Sequence, residues 1–255
     1  MKRTEHGGKA ENAASQQIEL LEKDDQVGYD QTLIFDAVSA PTVPMRDVDR
    51  RNVDAVMTRA MDVIIALLML IFLAPLIVIV AAAVFIVDPG PVFFAHSRLG
   101  YGGKTFKCLK FRSMVLNAEE RLLNLLMTDP AAQLEWERGH KLKVDPRVTR
   151  IGAFLRRTSL DELPQLFNVL RGEMSLVGPR PIVAAEIKRY GRYFPDYCSV
   201  RPGLTGLWQI SGRSDTSYRR RVALDVTYCR SRSVGMDLRI LFLTGTVVVL
   251  GIGSY

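Results

Sequence analysis

The chain has 255 residues, of which 48% are hydrophobic and 24% charged, and its formal net charge is +7. This length suits one catalytic domain with accessory segments. Its three cysteines, Cys108, Cys198 and Cys229, are far apart and show no C-x-x-C spacing. Neither a disulfide framework nor a cysteine-based zinc site is therefore expected, and the chain fits a reducing, cytoplasmic setting.

Charge is unevenly distributed along the chain. Residues 1–45 hold four basic and eight acidic side chains, a net charge of −4, so the remaining residues carry +11. A basic body suits contact with an anionic membrane or with phosphates, although solvated surface charge explains the composition equally well. Residues 1–45 also lack a sustained apolar period, which predicts a disordered polar tail.

One long apolar run dominates the N-terminal half. Residues 63–87 contain no charged side chain, and 25 residues exceed the roughly 20 that a membrane-crossing helix needs. Pro75 lies at the centre of this run, where proline bends a helix. A helix that enters the bilayer, bends at Pro75 and returns would keep both of its basic flanks in the cytoplasm. Residue patterns alone leave an ordinary kinked crossing equally open.

The rest of the chain predicts an α+β, helix-rich fold. Strands are expected over Val92–His96 and Thr105–Phe111, and a capping-box pattern at Asn117–Glu120 starts a helix that ends near Met127. Residues 128–147 are expected to form a loop, punctuated by prolines. Further helices are predicted over about 148–157, 184–194, 217–230 and 237–250, the last as a core or interfacial helix.

The densest candidate for chemistry is the stretch from Arg156 to Pro181. It holds the adjacent carboxylates Asp161 and Glu162, together with Arg156 and a Gly-Pro-Arg-Pro turn that carries Arg180. A structural interpretation is a capping box at Ser159–Glu162. In the functional interpretation, arginines clamp phosphate oxygens and an ionised carboxylate attacks phosphorus. Two carboxylates beside a diphosphate also favour Mg²⁺, which prefers oxygen ligands.

Seven motifs then occur in one order along the chain. They are Arg59-Ala-Met-Asp62, Arg98-Leu-Gly-Tyr-Gly-Gly-Lys104, Lys110-Phe-Arg-Ser-Met114, Ser159-Leu-Asp-Glu-Leu-Pro-Gln-Leu-Phe-Asn168, Met174-Ser-Leu-Val-Gly-Pro-Arg-Pro181, Arg201-Pro-Gly-Leu-Thr-Gly-Leu-Trp-Gln209 and Ser211-Gly-Arg213. In this order the chain resembles the bacterial sugar transferase family, the monotopic polyprenyl-phosphate phosphoglycosyl transferases, over roughly residues 56–255. It is most similar to the hexose-1-phosphate transferases that start exopolysaccharide assembly.

The resemblance implies a two-step mechanism and assigns roles to residues. Asp161 would attack the sugar-bearing phosphate of a UDP-hexose, release UMP and pass the phosphosugar to undecaprenyl phosphate. Glu162 would join Asp161 in binding Mg²⁺, and Arg180 would hold phosphate. The further phosphate- or substrate-binding candidates are Arg156, Arg98, Lys110, Arg112, Arg201 and Arg213. For Arg201 and Arg213, a role in loop structure or in membrane contact stays open.

The resemblance also implies a cellular setting. Residues 46–88 would form a re-entrant membrane helix with a basic flank, and residues 89–255 a cytoplasmic catalytic domain on the bacterial inner membrane. The family often has Ser before the bend proline, whereas Ala74 stands here. Galactose or glucose is favoured as the sugar, and membrane lipid is an expected partner.

The sequence leaves other partners and two rival functions open. A homodimer and contacts with downstream glycosyltransferases stay open. Arg219–Arg221 is not accompanied by a recognised nucleic-acid-binding fold, so no nucleic-acid partner is expected. The rival functions are a glycosyltransferase that cleaves the sugar C–O bond and releases UDP, and a non-catalytic membrane scaffold.

Overall fold

The computed structural model describes the backbone of residues 45–139, 142–211 and 217–249, and the side chains of residues 54–137, 142–211 and 217–245. The predicted tail, residues 1–45, lies outside these ranges except for Met45, and Arg213 lies outside them as well. Within the described residues, Asn117–Arg147 form one compact unit and the rest of the chain forms a larger one. The elements below are numbered in chain order.

The first element, α1, is a helix over Met45–Val87 that contains Pro75. Its segment Asp54–Val87 is long and apolar enough to cross a membrane, judged by length and composition. One face is open, as at Phe72, which is 83% exposed, whereas Ala66 and Val84 are buried. The helix therefore packs along one side and leaves a wide apolar surface along the other.

Both ends of α1 are bonded to the same larger unit. Near its start, the Arg59 guanidinium donates to the carbonyl oxygens of Val169 at 2.6 Å and Leu170 at 2.9 Å. Just after its end, the Asp88 carbonyl accepts a hydrogen bond from Arg112, whose Nη1 also lies 3.7 Å from the Asp88 carboxylate. Side chains before and after the apolar run therefore bond α1 to other parts of the larger unit.

A β-hairpin follows α1. Strands β1, Phe93–Leu99, and β2, Thr105–Phe111, pair antiparallel around a 3-10 turn at Tyr101–Gly103. Both predicted strands are confirmed, although β1 extends beyond the predicted range to Leu99. Side chains alternate between the two faces of a strand, so Cys108 and Lys110 lie on one face. The register places Arg98 opposite Phe106 and therefore on that same face.

The smaller unit contains two helices, α2 over Ala118–Thr128 and α3 over Pro130–Gly139. The predicted helix is confirmed by α2, although the Asn117 side chain makes no capping hydrogen bond, so the capping-box interpretation of its start is wrong. The loop predicted over residues 128–147 is wrong in its first half. Pro130 begins a helix instead of interrupting one, because the first helical position needs no N–H donor. Asp129 caps this helix by accepting a hydrogen bond from the Ala131 backbone N at 2.9 Å.

The next elements lead into the candidate site. Helix α4, Arg150–Thr158, is followed by a 3-10 turn at Leu160–Glu162 and by α5, Gln165–Arg171. Ser159 adopts the left-handed conformation with φ 57° at the junction of α4 and the turn, and its side chain makes no capping hydrogen bond. The capping-box interpretation of Ser159–Glu162 is therefore wrong, because Ser159 ends one helix rather than capping the next.

The remaining elements complete a mixed helix-and-sheet fold, as predicted. Strands β3, Ser175–Val177, and β4, Gly203–Thr205, pair in parallel. The intervening and following elements are 3-10 turns at Ala184–Glu186 and Gly191–Tyr193 and helices α6 Ile187–Tyr190, α7 Phe194–Cys198, α8 Leu207–Ile210, α9 Tyr218–Ser231 and α10 Val234–Val249. Ile240 is buried in the main core, so α10 is a core helix.

Apolar clusters hold these elements around the candidate site. The main cluster joins Leu166 and Val169 of α5 to Ala66 of α1. Another joins Val84, near the other end of α1, to Leu155 of α4. Helices α4 and α5, which flank the turn at Leu160–Glu162, are thus each anchored by fully buried leucines and by α1.

Candidate active site

Asp161 and Glu162, called the dyad here, lie on the 3-10 turn between α4 and α5. Leu155 precedes this turn and Leu166 follows it, and both are fully buried, so the turn is held at both ends. Asp161 is itself only 8% exposed. A carboxylate this poorly hydrated needs a compensating charge nearby.

Two cations supply that charge. Lys110 Nζ lies 2.7 Å from Glu162 Oε1 and 3.7 Å from Asp161 Oδ2. Arg180 Nη2 lies 3.4 Å from the same Glu162 oxygen. Lys110 comes from β2 and Arg180 from the Gly-Pro-Arg-Pro turn, so three segments that are distant in sequence meet at the dyad.

The environment drives the pKa values of the two carboxyls in opposite directions. Burial raises the pKa of Glu162, but Arg180 and Lys110 outweigh it and hold this pKa at about 2. Burial raises the pKa of Asp161 above its ordinary value, and the Lys110 charge opposes that rise. Glu162 is therefore a fixed anion that keeps the cations in place, whereas Asp161 is a poorly solvated carboxyl beside a lysine. Such a carboxylate is suited to nucleophilic attack.

Close backbone contacts fix the turn that carries Arg180. A Cβ on Gly203 of β4 would overlap the backbone N of Gly178, and a Cβ on Gly206 would overlap the Gly178 carbonyl. Only glycine allows these segments to approach so closely. The Gly178–Arg180 segment therefore lies directly against β4, which limits where the Arg180 side chain can reach.

A small cavity opens beside the dyad and is mostly cationic. Its lining includes Glu162 together with Arg98, Lys110 and Arg180, and the Cys108 thiol lies among these charges. Arg98 Nη1 donates to the Pro181 carbonyl at 3.4 Å, which orients its guanidinium. Among its lining residues, three cations surround one carboxylate, while Asp161 lies 3.7 Å from Lys110 and Glu186 lies 4.0 Å from Arg98. The guanidinium and ammonium groups gathered here are the side chains that bind phosphate oxygens.

Four of the predicted binding residues thus lie around one site and two others lie elsewhere, whereas Arg213 is outside the described residues. Arg156 donates from Nε to Ser113 Oγ at 2.9 Å, and its charge lowers the pKa of Asp161, so it borders the dyad. Arg112 is buried against Asp88 at the end of α1. Arg201 donates to the Gly172 carbonyl at 2.8 Å and lies away from the dyad cavity.

Asn168 is a positioning residue that the sequence reasoning did not single out. Its side chain is fully buried; its Oδ1 accepts from the Leu109 backbone N at 2.9 Å, and its Nδ2 donates to the Lys107 carbonyl at 2.8 Å. These bonds join α5 to the edge of β2 that β1 leaves unpaired, and so set the position of Lys110 relative to the dyad. Asn168 is the last residue of the Ser159–Asn168 motif, and that position is the signal in the sequence that could have identified it.

The dyad provides only part of a metal-binding site. Across the described residues, no group of three or more His, Cys, Asp or Glu side chains is arranged to hold a metal ion. Mg²⁺, however, commonly binds one or two carboxylates and completes its shell with substrate phosphates and water. The paired carboxylates of Asp161 and Glu162 fit that donor set.

Comparison with known proteins agrees with this geometry. Residues 53–251 match the model of a family described as bacterial sugar transferase. An undecaprenyl-phosphate galactose phosphotransferase of Salmonella typhimurium is 54% identical over 168 residues, which cover 66% of this chain and 35% of the relative. A UDP-glucose:undecaprenyl-phosphate glucose-1-phosphate transferase of Escherichia coli is 40% identical over 212 residues, covering 80% of this chain and 42% of the relative.

A third relative matches along nearly its whole length. The exopolysaccharide production protein ExoY of Sinorhizobium fredii is 48% identical over 219 residues, covering 86% of this chain and 97% of the relative. The chain spans only about a third of the length of the Salmonella protein. The family match covers the dyad, the hairpin and the arginine turn, and these comparisons confirm the resemblance seen in the motifs. The chain belongs to the bacterial sugar transferase family.

Proposed function

We propose that this chain transfers a hexose-1-phosphate, with galactose or glucose as the hexose, from a UDP-sugar to undecaprenyl phosphate and releases UMP. The reaction would be the first membrane step of exopolysaccharide synthesis. The observation that carries the proposal is the buried Asp161 carboxylate, with Lys110 3.7 Å away and a cationic cavity beside it. The names of the relatives support both substrates.

In the first step, an Asp161 carboxylate oxygen attacks the phosphorus that bears the sugar. A bond forms between Asp161 and phosphorus, and the phosphoanhydride bond breaks, so UMP leaves with the electron pair. Arg180, Lys110 and Arg98 would stabilise the negative charge that is redistributed over the phosphate oxygens. Because Glu162 already engages Lys110 and Arg180, it would hold both cations in place before substrate arrives.

In the second step, a phosphate oxygen of the lipid attacks the same phosphorus. The bond to Asp161 breaks, the carboxylate is regenerated, and the product is a lipid-linked pyrophosphoryl sugar. Asp161 and Glu162 would hold Mg²⁺, and the chemistry that the ion supplies is neutralisation of charge on the diphosphate. A covalent intermediate lets a soluble donor and a membrane-bound acceptor use one site in turn.

We further propose that α1 is re-entrant and that the catalytic unit faces the cytoplasm. A helix that simply crossed the bilayer would place its ends on opposite sides, about 30 Å apart. Here Arg59, near the start of α1, and Asp88, just after its end, both bond to the same larger unit. Bending at Pro75 would allow both ends to stay on the side that carries the basic flanks.

The topology can be tested with single cysteines placed near the two ends of α1. In a variant that lacks the native cysteines, Met57→Cys and Phe94→Cys would be labelled with a membrane-impermeant maleimide. Both positions are about half exposed. A re-entrant helix requires both to react in inside-out vesicles and neither in intact spheroplasts. Labelling of the two positions from opposite sides would show a crossing helix.

The catalytic proposal is tested by identifying the released nucleotide. Purified, detergent-solubilised protein would be given Mg²⁺, undecaprenyl phosphate and either UDP-galactose, UDP-glucose or UDP-N-acetylglucosamine. UMP is expected with either UDP-galactose or UDP-glucose. When lipid is withheld, intact mass spectra should also show a hexose phosphate adduct on the protein. Asp161→Asn should abolish both signals.

A matched control and two contrary outcomes complete this test. Asp196→Asn should retain activity, because Asp196 pairs with Arg230 on the surface of another region. Release of UDP would show cleavage of the sugar C–O bond and reject the phosphosugar mechanism. Biological complementation by folded protein that lacks both dyad carboxylates would support the scaffold function instead.

A further inference from the structure

A second concavity lies along α1, on a different part of the larger unit from the dyad cavity. This α1 groove has a volume of about 750 Å³ and is lined by Ala55, Val56, Arg59, Ala60, Val63, Ile64 and Arg201. Among the described residues its walls are aliphatic, and the charged residues that line it are the two arginines. The groove is shallow and widely open along the helix.

Both arginines keep N–H donors that face no carboxylate at ion-pair distance among the described residues, although the charge of Arg59 also acts on the buried Asp62 carboxylate one turn along α1. Arg59 donates to the carbonyls of Val169 and Leu170, and Arg201 donates from Nε to the carbonyl of Gly172. Carbonyls are neutral, and a guanidinium has five N–H donors, so each arginine retains donors for an anion. Among the described side chains, neither arginine forms a salt bridge with a carboxylate.

The aliphatic wall of the groove continues toward the centre of α1. Val63, Leu67 and Ile71 follow one another at intervals of four residues, which places them on one side of the helix. Leu67 and Ile71 are exposed. An acyl chain lying against this side would cover apolar surface from the arginines into the apolar run.

The groove is too far from the dyad to hold a reacting phosphate. Its arginines bind carbonyls at the C-terminal end of α5, whereas the dyad precedes the N-terminal end of the same helix. Seven helical residues span roughly 10 Å at 1.5 Å per residue. A phosphate bound between Arg59 and Arg201 would therefore lie well beyond bonding reach of Asp161.

We propose that the α1 groove binds an anionic glycerophospholipid of the membrane, with its phosphate between Arg59 and Arg201 and an acyl chain along Val63, Leu67 and Ile71. The proposal rests on the membrane placement of α1 and not on the transferase reaction. Bound lipid would bridge α1 and α5, because Arg59 belongs to the former and contacts the end of the latter.

The test is native mass spectrometry of the full chain in detergent, titrated with phosphatidylglycerol or with phosphatidylcholine of the same acyl chains. Wild type should retain one phosphatidylglycerol with at least a fivefold preference over phosphatidylcholine. Ala60→Glu places a carboxylate in the groove and should remove that preference. Met57→Glu adds the same charge to α1 at a position that is 52% exposed and does not line the groove, so it should keep the preference.

Three outcomes would overturn the proposal. Equal retention of the two phospholipids by wild type would show that headgroup charge is not recognised. An unchanged preference in Ala60→Glu, with a thermal midpoint equal to that of wild type, would place the lipid elsewhere. One-for-one displacement of phosphatidylglycerol by undecaprenyl phosphate would assign the groove to the lipid substrate. Since none of these readouts uses turnover, they are independent of the nucleotide-release assay.

Discussion

Replacing Lys110 by methionine tests the electrostatic argument at the dyad most directly. Methionine keeps an unbranched side chain of similar length and removes only the charge, so packing around β2 should change little. Lys110 lies within ion-pair distance of both carboxylates, 2.7 Å from Glu162 and 3.7 Å from Asp161. Its loss leaves the buried Asp161 without its nearest cation and leaves Arg180 as the remaining ion-pair partner of Glu162.

The size of the effect follows from the pKa of Glu162. Lowering that pKa from 4.5 to about 2 corresponds to roughly 3 kcal/mol, shared between Arg180 and Lys110. Because the folded-state pKa is depressed, this stabilisation is fully present above about pH 4.5 and is lost as the pH falls toward 2. Lys110→Met should therefore lower the free energy of unfolding by about 1–2 kcal/mol at pH 7, and by much less near pH 3.

The same substitution should change the pH dependence of catalysis. Burial already raises the pKa of Asp161, and without Lys110 nothing as close opposes that rise. The acid limb of the pH–rate profile for UMP release should therefore move to higher pH. Lys107→Met is the matched control, because Lys107 lies on the same strand but its ammonium donates to Ser97 Oγ and forms no salt bridge among the described residues. An unchanged acid limb in Lys110→Met would refute the assignment of Lys110 as the partner of Asp161.

Three further predictions concern buried groups. Asn168→Ala should cost about 1–3 kcal/mol of unfolding free energy, because it leaves partly buried backbone groups of β2 unpaired, and should lower kcat for UMP release. Asn168→Asp should not rescue either loss, because a carboxylate cannot donate to the Lys107 carbonyl and would face the Glu173 carboxylate. Burial raises the pKa of Asp225 to about 7. Wild type should therefore lose stability as the pH rises from about 4 to 7, and urea titration of Asp225→Asn should not show this loss. Gly203→Ala should destabilise by about 3 kcal/mol, whereas Gly235→Ala, with open space around it, should be neutral or slightly stabilising in thermal unfolding.

Local sequence patterns predicted elements whose stability depends mainly on neighbouring residues. The hairpin follows from two short strand patterns on either side of a glycine-rich loop, and α2 follows from its apolar face, although Asn117 does not cap it. The same kind of reasoning was wrong at Pro130 and Ser159. Proline is allowed at the first helical position as well as in loops, and serine can end a helix as well as start one, so composition alone did not decide either position.

The candidate site was predictable only in part, because its geometry depends on contacts between distant segments. The dyad and Arg180 were found within one dense stretch of the sequence. Lys110 and Arg112 are only two residues apart, yet one contacts the dyad and the other is buried against Asp88. The alternation of side chains along a strand suggests that 110 and 112 share a face, but β2 ends at Phe111 and the chain turns away.

The hairpin explains why three motifs that are far apart in sequence act at one site. Asn168 provides side-chain partners to the free edge of β2, in place of a third strand, and it lies on the helix that begins just after the dyad. The position of Lys110 is therefore set by the same short segment that carries Asp161. A substitution that moves α5 should shift Asp161 and Lys110 together and preserve their separation. A substitution that breaks the Asn168 bonds should separate them, so it should alter the pH profile as well as the stability.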